Sequence, residues 1–354
     1  ELMGGTNSNY RINVDGVSNT EFSDITVQAN DSMFVFVEVT LDPNNINNPL
    51  VIQDSIRFRT NDIDQYVQLA AWGQDAYFHY KDTNEGVWPN DKPHVIYGYA
   101  AVDSSKSLII QSGTDIFLHK GAILYVYKGA LDIQGTLVDP VTFQGDRLEM
   151  EYDDVSGQYY GIYFQEALPS KINYAIIKNG TSGVHLFSED ATNTSYTLQV
   201  SNTIIQNCAR YGVFIYSGAE VKAENCLISK NGNHALLVLE GGSFNFNHCH
   251  LLGYGNGASQ VPAIGLSNYY NDQFNGTLNI GSIEEGTITN SVIYGNLEQE
   301  IAIDTISDPL ITLNFNFDYN LIRALELPTD PFFTSNNFYN QDPQFVDIAE
   351  NDFT

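Results

Sequence analysis

An acidic loop beside an arginine holds the residue types best suited to acid–base chemistry. Residues 149–154 (EMEYDD) end in the pair Asp153 and Asp154, and Arg147 precedes them in the sequence QGDR. Glycosidases need two carboxylates about 5 to 10 Å apart, and lyases combine Ca²⁺-binding carboxylates with a basic side chain. Arg147, Asp153 and Asp154 are therefore candidate catalytic residues. The alternative is that Arg147 and Asp146 form a structural ion pair.

Tyrosines crowd the segment that follows this loop and indicate a binding surface. The candidate ligand-binding residues are Tyr152, Tyr159, Tyr160 and Tyr163. Further tyrosine pairs occur at Tyr125 and Tyr127 and at Tyr269 and Tyr270. Exposed aromatic rings offer a large contact area at low cost in side-chain entropy, so a surface of this kind flanked by acids suits a neutral glycan, bound directly or through Ca²⁺. The alternative is that these rings cover an apolar core.

Histidine and cysteine offer a weaker case for a metal site. In the run Asn247-His248-Cys249-His250, only His248 and His250 can share one side of a strand. They are weak candidate metal ligands, because no CxxC or HExxH spacing accompanies them. The chain has three cysteines, Cys208, Cys226 and Cys249, which cannot all pair in disulfides. We expect them to be buried thiols. We expect no tightly bound cofactor, with Ca²⁺ as the one ion to test.

Composition excludes several classes of function. The 354 residues are 43% hydrophobic, which is enough for a buried core, and contain 43 acidic and 15 basic residues for a net charge of -28. Nucleic-acid binding requires clustered lysine and arginine, and an anionic membrane surface attracts basic segments. We therefore expect neither partner. No stretch approaches the roughly 18 apolar residues of a transmembrane helix.

The chain divides into two regions by pattern. Residues 1–80 contain short runs of alternating apolar and polar residues between turn signals, which predict an antiparallel β-sandwich. The runs number four or five, which is few for a closed sandwich, so we expect part of this domain to lie upstream of Glu1. Residues 81–92 (KDTNEGVWPNDK) are polar and contain Gly86 and Pro89, so they are predicted to be a linker. Residues 93–354 show apolar residues at strand spacing, and we expect the segment from Thr329 to cap their C-terminal end.

An internal repeat predicts the fold of this second region. Pairs of apolar residues begin at 176, 204, 227, 251, 292 and 321, in steps of 28, 23, 24, 41 and 29 residues. Three short strands per step without helices are typical of a parallel β-helix. The step of 41 indicates either two coils with one pair disguised or one coil with a large insertion.

Asparagines recur two positions before these pairs, which predicts a corner of the coil. The alignment places Asn202, Asn225, Cys249 and Asn290 there. Asparagine tolerates a left-handed backbone and can stack its amides between coils, so we assign these residues a structural role. Crossovers between parallel strands are right-handed, so we predict a right-handed helix.

These features resemble a known group of proteins. The stretches that carry the resemblance are residues 30–43 (NDSMFVFVEVTLDP), 71–75 (AWGQD), 91–99 (DKPHVIYGY), 140–147 (PVTFQGDR), 161–164 (GIYF), 172–180 (INYAIIKNG) and the tail from Asp342 to Phe353. The chain resembles right-handed parallel β-helix repeat proteins, and more narrowly uncharacterised Gram-negative envelope lipoproteins with an immunoglobulin-like domain before the helix. The resemblance implies an all-β protein, export to the cell envelope, a lipidated cysteine upstream of Glu1 and further residues after Thr354.

Three functions remain open on the sequence. We favour a non-catalytic binding or scaffold role, with a glycan or an envelope protein as the partner. The alternative is a polysaccharide lyase or hydrolase, in which Arg147, Asp153 and Asp154 should converge in a groove with a third acid or a cation. In a scaffold, the same residues should form scattered surface pairs.

Overall fold

The computed structural model describes residues 1–40, 50–73, 75–189, 196–255, 261–326, 330–348 and 352–353. The chain forms two compact units, residues 1–76 and residues 77–354. Apart from two short 3₁₀ helices, Gly5–Asn7 and Met150–Tyr152, the regular elements of the described residues are β-strands. No helix in this part of the chain has the length and apolar character to cross a bilayer.

The first unit consists of two small antiparallel sheets. The strands are β1 (Tyr10–Val14), β2 (Val17–Asn19), β3 (Val35–Val39), β4 (Leu50–Thr60) and β5 (Ile63–Gly73). In the first sheet β1 lies between β2 and β3, and in the second β4 pairs with β5 as a hairpin. Leu2, Tyr10, Ile12 and Ile56 are buried together, and the Tyr10 hydroxyl donates to the Ile52 carbonyl at 2.8 Å. This cluster connects the two sheets.

The second unit is built from three parallel sheets, which the chain visits in turn. The first sheet contains β6 (Tyr77–Thr83), β8 (His94–Val102), β10 (Asp115–Leu118), β13 (Val141–Gly145), β16 (Ala175–Lys178), β19 (Ile204–Gln206), β22 (Leu227–Ser229), β25 (His250–Gly253), β30 (Val292–Gly295), β33 (Leu321–Ile322) and β34 (Phe338–Tyr339). The second sheet shares the long strands β6 and β8 and continues through β11 (Ile123–Tyr127), β14 (Gly161–Gln165), β17 (Ser182–Ser188), β20 (Tyr211–Ser217), β23 (Leu236–Leu239), β26 (Ile264–Ser267) and β31 (Ile301–Asp304).

The third sheet completes each coil. It contains nine strands, β7 (Gly86–Trp88), β9 (Ser107–Gln111), β12 (Ala130–Gln134), β15 (Ser170–Asn173), β18 (Leu198–Ser201), β21 (Glu220–Glu224), β24 (Ser243–Asn247), β29 (Ile283–Thr289) and β32 (Leu313–Asp318). Each strand pairs in parallel with its equivalents in the coils before and after it. The unit is therefore a parallel β-helix, as the repeat predicts.

Alternation along each strand produces one continuous core. In the third sheet the inward residues lie in register from coil to coil: Ile110, Ile133, Ile172, Val200, Ala223, Phe246, Ile288 and Phe317. All of these are buried. Because each apolar side chain packs between two others of the same column, burial and strand pairing stabilise the same stack.

The predicted corner exists, with one correction. The residues at this corner have φ near +50°: Tyr174, Asn202, Asn225, His248, Asn290 and Tyr319. The Asn225 Nδ2 donates to Asn202 Oδ1 at 2.7 Å, and Asn202 Nδ2 donates to Asn173 Oδ1 at 2.9 Å. His248 occupies the place assigned to Cys249, because His250 and not Leu251 lies in register with Leu227 and Val292.

The long step of the repeat is one coil with an insertion. Strand β25 pairs directly with β30, so no coil is hidden between them. The extra residues include the antiparallel hairpin of β27 (Tyr269–Asp272) and β28 (Thr277–Ile280).

The predicted linker instead belongs to the β-helix. Residues 81–92 contain the end of β6 and all of β7, and Val87 of β7 pairs in register with Ile109 of the third sheet. Of the three residues of β7 only Trp88 is buried, and most side chains of residues 81–92 are exposed, which is consistent with the polar composition of this segment. The structure also places the division between the two units at residue 76, before the predicted boundary.

The three cysteines are buried and form no disulfide, as expected. Cys226 and Cys249 occupy equivalent positions in adjacent coils, just inside the asparagine corner. Burial raises the pKa of the Cys208 thiol to about 12, which keeps this thiol protonated and unreactive.

Candidate functional site

The four candidate tyrosines lie in different environments. Tyr159 is 1% exposed, and its hydroxyl donates to the Lys178 carbonyl at 2.9 Å. It is therefore a core residue, and burial raises its pKa well above the ordinary value. Tyr152 ends the helix Met150–Tyr152, where the Arg147 guanidinium lies 4.0 Å from its ring centroid. Tyr160 and Tyr163 lie on the outer side of the second sheet.

Stacked rings run along the outer face of the second sheet, which we call the ring ladder. Tyr125, Tyr163, His185 and Phe214 are in register on β11, β14, β17 and β20. Their successive ring centroids are 5.5, 4.5 and 4.5 Å apart, with interplanar angles of 18° to 29°. Each ring therefore covers part of the faces of its neighbours.

A second column of rings borders the ladder on the same strands. Phe187 and Tyr216 are 5.5 Å apart, and Tyr270 of the inserted hairpin lies edge-on to Tyr216 at 6.2 Å. Burial and the carboxylate of Glu240 raise the pKa of Tyr216 to about 12. The carboxylate of Glu240 thus places a negative charge beside this column of rings.

His185 is held in the middle of the ladder as a neutral ring. Its Nδ1 is 2.7 Å from the Tyr160 hydroxyl, and burial lowers its pKa to about 4. Its Nε2 is buried without a hydrogen-bond partner among the described residues. A ring so enclosed serves the packing of β14, β17 and β20 and is unavailable to a ligand.

A second aromatic group lies on the first coils of the helix, and we call it the open cluster. It consists of Phe78 and Tyr80 on β6, Tyr97 on β8 and His119 just after β10. Tyr80 and Tyr97 stack at 5.2 Å and 13°, Phe78 lies 6.0 Å from Tyr80, and Tyr97 lies 4.7 Å from His119. Phe78 and Tyr80 are 51% and 63% exposed, far more than the half-buried rings of the ladder.

A polar pair adjoins the open cluster. The His119 Nδ1–H donates to the Asp146 carboxylate at 2.7 Å. His119 is itself exposed, so its Nε2 is left for a ligand hydroxyl. Burial and the nearby Asp146 charge raise the pKa of Tyr97, which keeps this phenol protonated as a hydrogen-bond donor.

Buried histidines hold the cluster in place from the inner side of the same strands. His79, which lies between Phe78 and Tyr80 in the chain, has its Nε2 2.9 Å from the His94 Nδ1. The His94 Nε2 lies 3.1 Å from the Pro89 carbonyl, and burial lowers the pKa of His94 to about 4. A neutral His94 thus donates to Pro89 and accepts from His79. Trp88 stacks on both rings at 4.4 and 4.5 Å.

The candidate catalytic residues do not converge. Arg147 forms a salt bridge with Glu149 at 2.8 Å, not with Asp146, which instead accepts from His119. The side chains of Asp153 and Asp154 are exposed. Asp153 contributes its backbone carbonyl, which accepts from Asn179 Nδ2 at 2.9 Å. In this loop Arg147 is thus paired with Glu149, and neither Asp153 nor Asp154 is its partner.

The candidate metal ligands share one groove but lack further donors. His248 is exposed at the corner, and His250 is half-buried with its ring 5.7 Å from Phe345. Burial lowers the pKa of His250. The described residues contain no group of three or more histidine, cysteine, aspartate or glutamate side chains placed to hold a metal ion.

The sequence reasoning missed Phe78 and Tyr80. They form part of the run Tyr77-Phe78-His79-Tyr80, in which aromatic residues alternate across a strand. That alternation was the available signal. Whether such rings are exposed depends on which coil is the first of the stack. The polar composition of residues 81–92 led to the prediction of a linker, so the sequence did not show that the first coil begins before them.

Comparison with known proteins supports the fold. Residues 101–251 match the family model for the right handed beta helix region. Among solved structures, the chain is similar to the A-module of the mannuronan C-5 epimerase AlgE6 of Azotobacter vinelandii. That match has 9% identity and a TM-score of 0.35 over 76% of this chain and 92% of that chain, so it bears on neither activity nor substrate. No curated protein sequence matches this chain.

Proposed function

We propose that this protein is a non-catalytic carbohydrate-binding protein, and that the open cluster of its β-helix binds a neutral glycan. The observation that carries the proposal is the pair of exposed rings of Phe78 and Tyr80, with the half-buried Tyr97 stacked on Tyr80, beside the His119–Asp146 pair.

The chemistry of a sugar matches both parts of this site. A pyranose ring has an apolar face of C–H groups, which packs on an exposed aromatic face, and a rim of hydroxyls that need directed partners. The rings of Phe78 and Tyr80 supply the apolar surface. The Asp146 carboxylate and the His119 Nε2 supply acceptors close to it, and the Tyr97 hydroxyl supplies a donor.

Charge favours a neutral ligand. The chain carries a net charge of -28, which repels polyanionic chains unless cations intervene. Ca²⁺ is thus a condition to vary in the binding test. The pairing of Arg147 with Glu149, and not with Asp153 or Asp154, favours binding without turnover.

Export and domain type belong to the same proposal and rest on the sequence resemblance. We assign the protein to the bacterial cell envelope, attached through a lipidated cysteine upstream of Glu1, and assign an immunoglobulin-like character to residues 1–76. Metabolic labelling with a palmitate analogue, followed by membrane fractionation, tests the attachment. An unlabelled, freely soluble full-length protein would contradict it.

A glycan array with and without Ca²⁺ tests the binding. The wild type is compared with Tyr80→Ala/Tyr97→Ala and with Tyr319→Ala, whose ring is 57% exposed outside the cluster. We expect neutral glycans to bind the wild type and Tyr319→Ala but not the double variant. No glycan bound in either condition, or binding that the double variant keeps, contradicts the proposal.

A further inference from the structure

The outer face of the first sheet carries a column of apolar side chains. The aligned residues are Ile176, Ile204, Leu227, Val292 and Leu321, with His250 between Leu227 and Val292. These positions point away from the core, where polar residues are expected on a solvated face. An outer apolar column indicates a covered surface.

The C-terminal tail covers one half of this column. Phe345 and Phe353 pack against Leu252 and Tyr294, which are buried although they lie on the outer face. Leu227, Val292 and Leu321 contact the same cluster. The tail thus lies along the side of the first sheet, not only at the end of the helix, where we expected a cap.

The other half of the column remains open as a groove. A depression of about 340 Å³ is lined by Ile176, Ile204 and Leu227 together with Leu137 and Pro140. Leu137 is 80% exposed at its rim. The asparagine corner forms one wall, through Asn202 and Asn225.

The neighbouring outer column shows what shape of partner this groove accepts. Under the tail that column is apolar, with Leu252 and Tyr294. Beside the open groove the equivalent residues are the half-buried Lys178 and Gln206, followed by Ser229, which is itself buried. The open half is therefore a narrow apolar strip with a polar border, which fits an extended segment with large apolar side chains along one edge.

We propose that this groove binds an extended peptide segment of a partner protein that carries aromatic side chains on one edge. The tail shows how such a segment binds, because it inserts Phe345 and Phe353 over the continuation of the same column. The groove is formed by the first sheet and its corner, and this proposal is independent of the glycan site.

Fluorescence polarisation with defined peptides tests the proposal. The probes are fluorescein-labelled octapeptides with lysine at both ends, in which threonine alternates with phenylalanine, leucine, serine or aspartate. They are titrated with the full chain, with Leu137→Ser, with Ile204→Thr and with Leu310→Ser, whose side chain is 90% exposed elsewhere. We expect the phenylalanine peptide to bind, the serine and aspartate peptides to fail, and both groove variants to weaken binding by about tenfold or more.

The outcomes separate binding from folding. Leu310→Ser should bind as the wild type does. If Ile204→Thr fails to fold, Leu137→Ser decides alone, because Leu137 lies on an exposed loop. The proposal is overturned if none of the peptides binds with a Kd below about 1 mM. It is also overturned if the groove variants bind the phenylalanine peptide as tightly as the wild type does.

Discussion

Two aromatic regions lie on the same β-helix and differ in what covers the faces of their rings. In the ring ladder, each of Tyr163 and His185 has a stacked ring in the coil before and in the coil after it. In the open cluster, Phe78 and Tyr80 lie on β6, the first strand of its sheet, and more than half of each side chain is exposed. Aromatic content alone therefore does not locate a binding surface, because rings inside the stack stabilise coils and rings at its start remain available.

The largest expected effect separates the regions by stability. Phe214→Ala removes the ring that stacks on His185 at 4.5 Å and contacts Tyr211 at 5.0 Å. We expect a loss of about 3 kcal/mol in the free energy of unfolding, measured by denaturant titration. Tyr80→Ala is the control, with an expected change within about 0.5 kcal/mol. Equal losses of stability in the two variants would contradict the view that the ladder, and not the open cluster, stabilises the fold.

Acid should weaken the ladder through His185. Burial lowers its pKa from 6.5 to about 4. Between pH 6.5 and pH 4 the unfolded chain therefore binds a proton at this residue that the folded chain does not bind. The contribution of neutral His185 is complete above pH 6.5 and is lost as the pH falls toward 4, by at most about 3 kcal/mol. The free energy of unfolding of His185→Phe, measured by denaturant titration across this pH range, should depend less on pH than that of the wild type. The same pH dependence in both proteins would show that His185 is not the group responsible.

The polar pair of the open cluster should affect binding and not stability. Asp146→Asn removes the charge that accepts from the His119 Nδ1–H. We expect glycan affinity to fall about tenfold and the melting temperature to stay constant. Titration calorimetry on a glycan identified by the array measures the first quantity and thermal unfolding the second. Glu149→Gln is the matched control, because Glu149 pairs with Arg147 outside the cluster.

The smallest effect should come from the edge of the ladder. Tyr160→Phe keeps the ring and removes the hydroxyl that hydrogen-bonds the His185 Nδ1 at 2.7 Å. We expect a cost of about 1 kcal/mol in unfolding free energy, with glycan binding intact. Loss of glycan binding in this variant would show that the ligand site extends into the ladder.

The sequence predicted the β-helix because its periodic signal is repeated in every coil. Apolar pairs such as Ile204-Ile205 place one residue inside and one outside, and the register repeats this arrangement. The alignment shifted by one residue at Leu251 because His250 occupies an outer position that is apolar in the neighbouring coils. A single polar substitution is enough to displace a pattern of period two.

The candidate site was harder to predict because exposure depends on distant residues. Tyr159 and Tyr160 are adjacent and identical in type, yet one is buried against the Lys178 carbonyl and the other lies on the outer face. Their assignment depends on the register of β14, which the sequence of the loop does not specify. The partner of Asp146 is His119, 27 residues earlier and in the preceding coil, and no local pattern pairs them.

The central claim is that the open cluster binds a ligand while the ladder supports the fold. The most direct test measures glycan affinity and unfolding free energy on the same two proteins, Tyr80→Ala/Tyr97→Ala and Phe214→Ala. We predict that the first loses affinity by about thirtyfold or more at nearly unchanged stability, and that the second loses stability while its folded fraction binds as the wild type does. Affinity lost in Phe214→Ala and retained in the double variant would contradict the account.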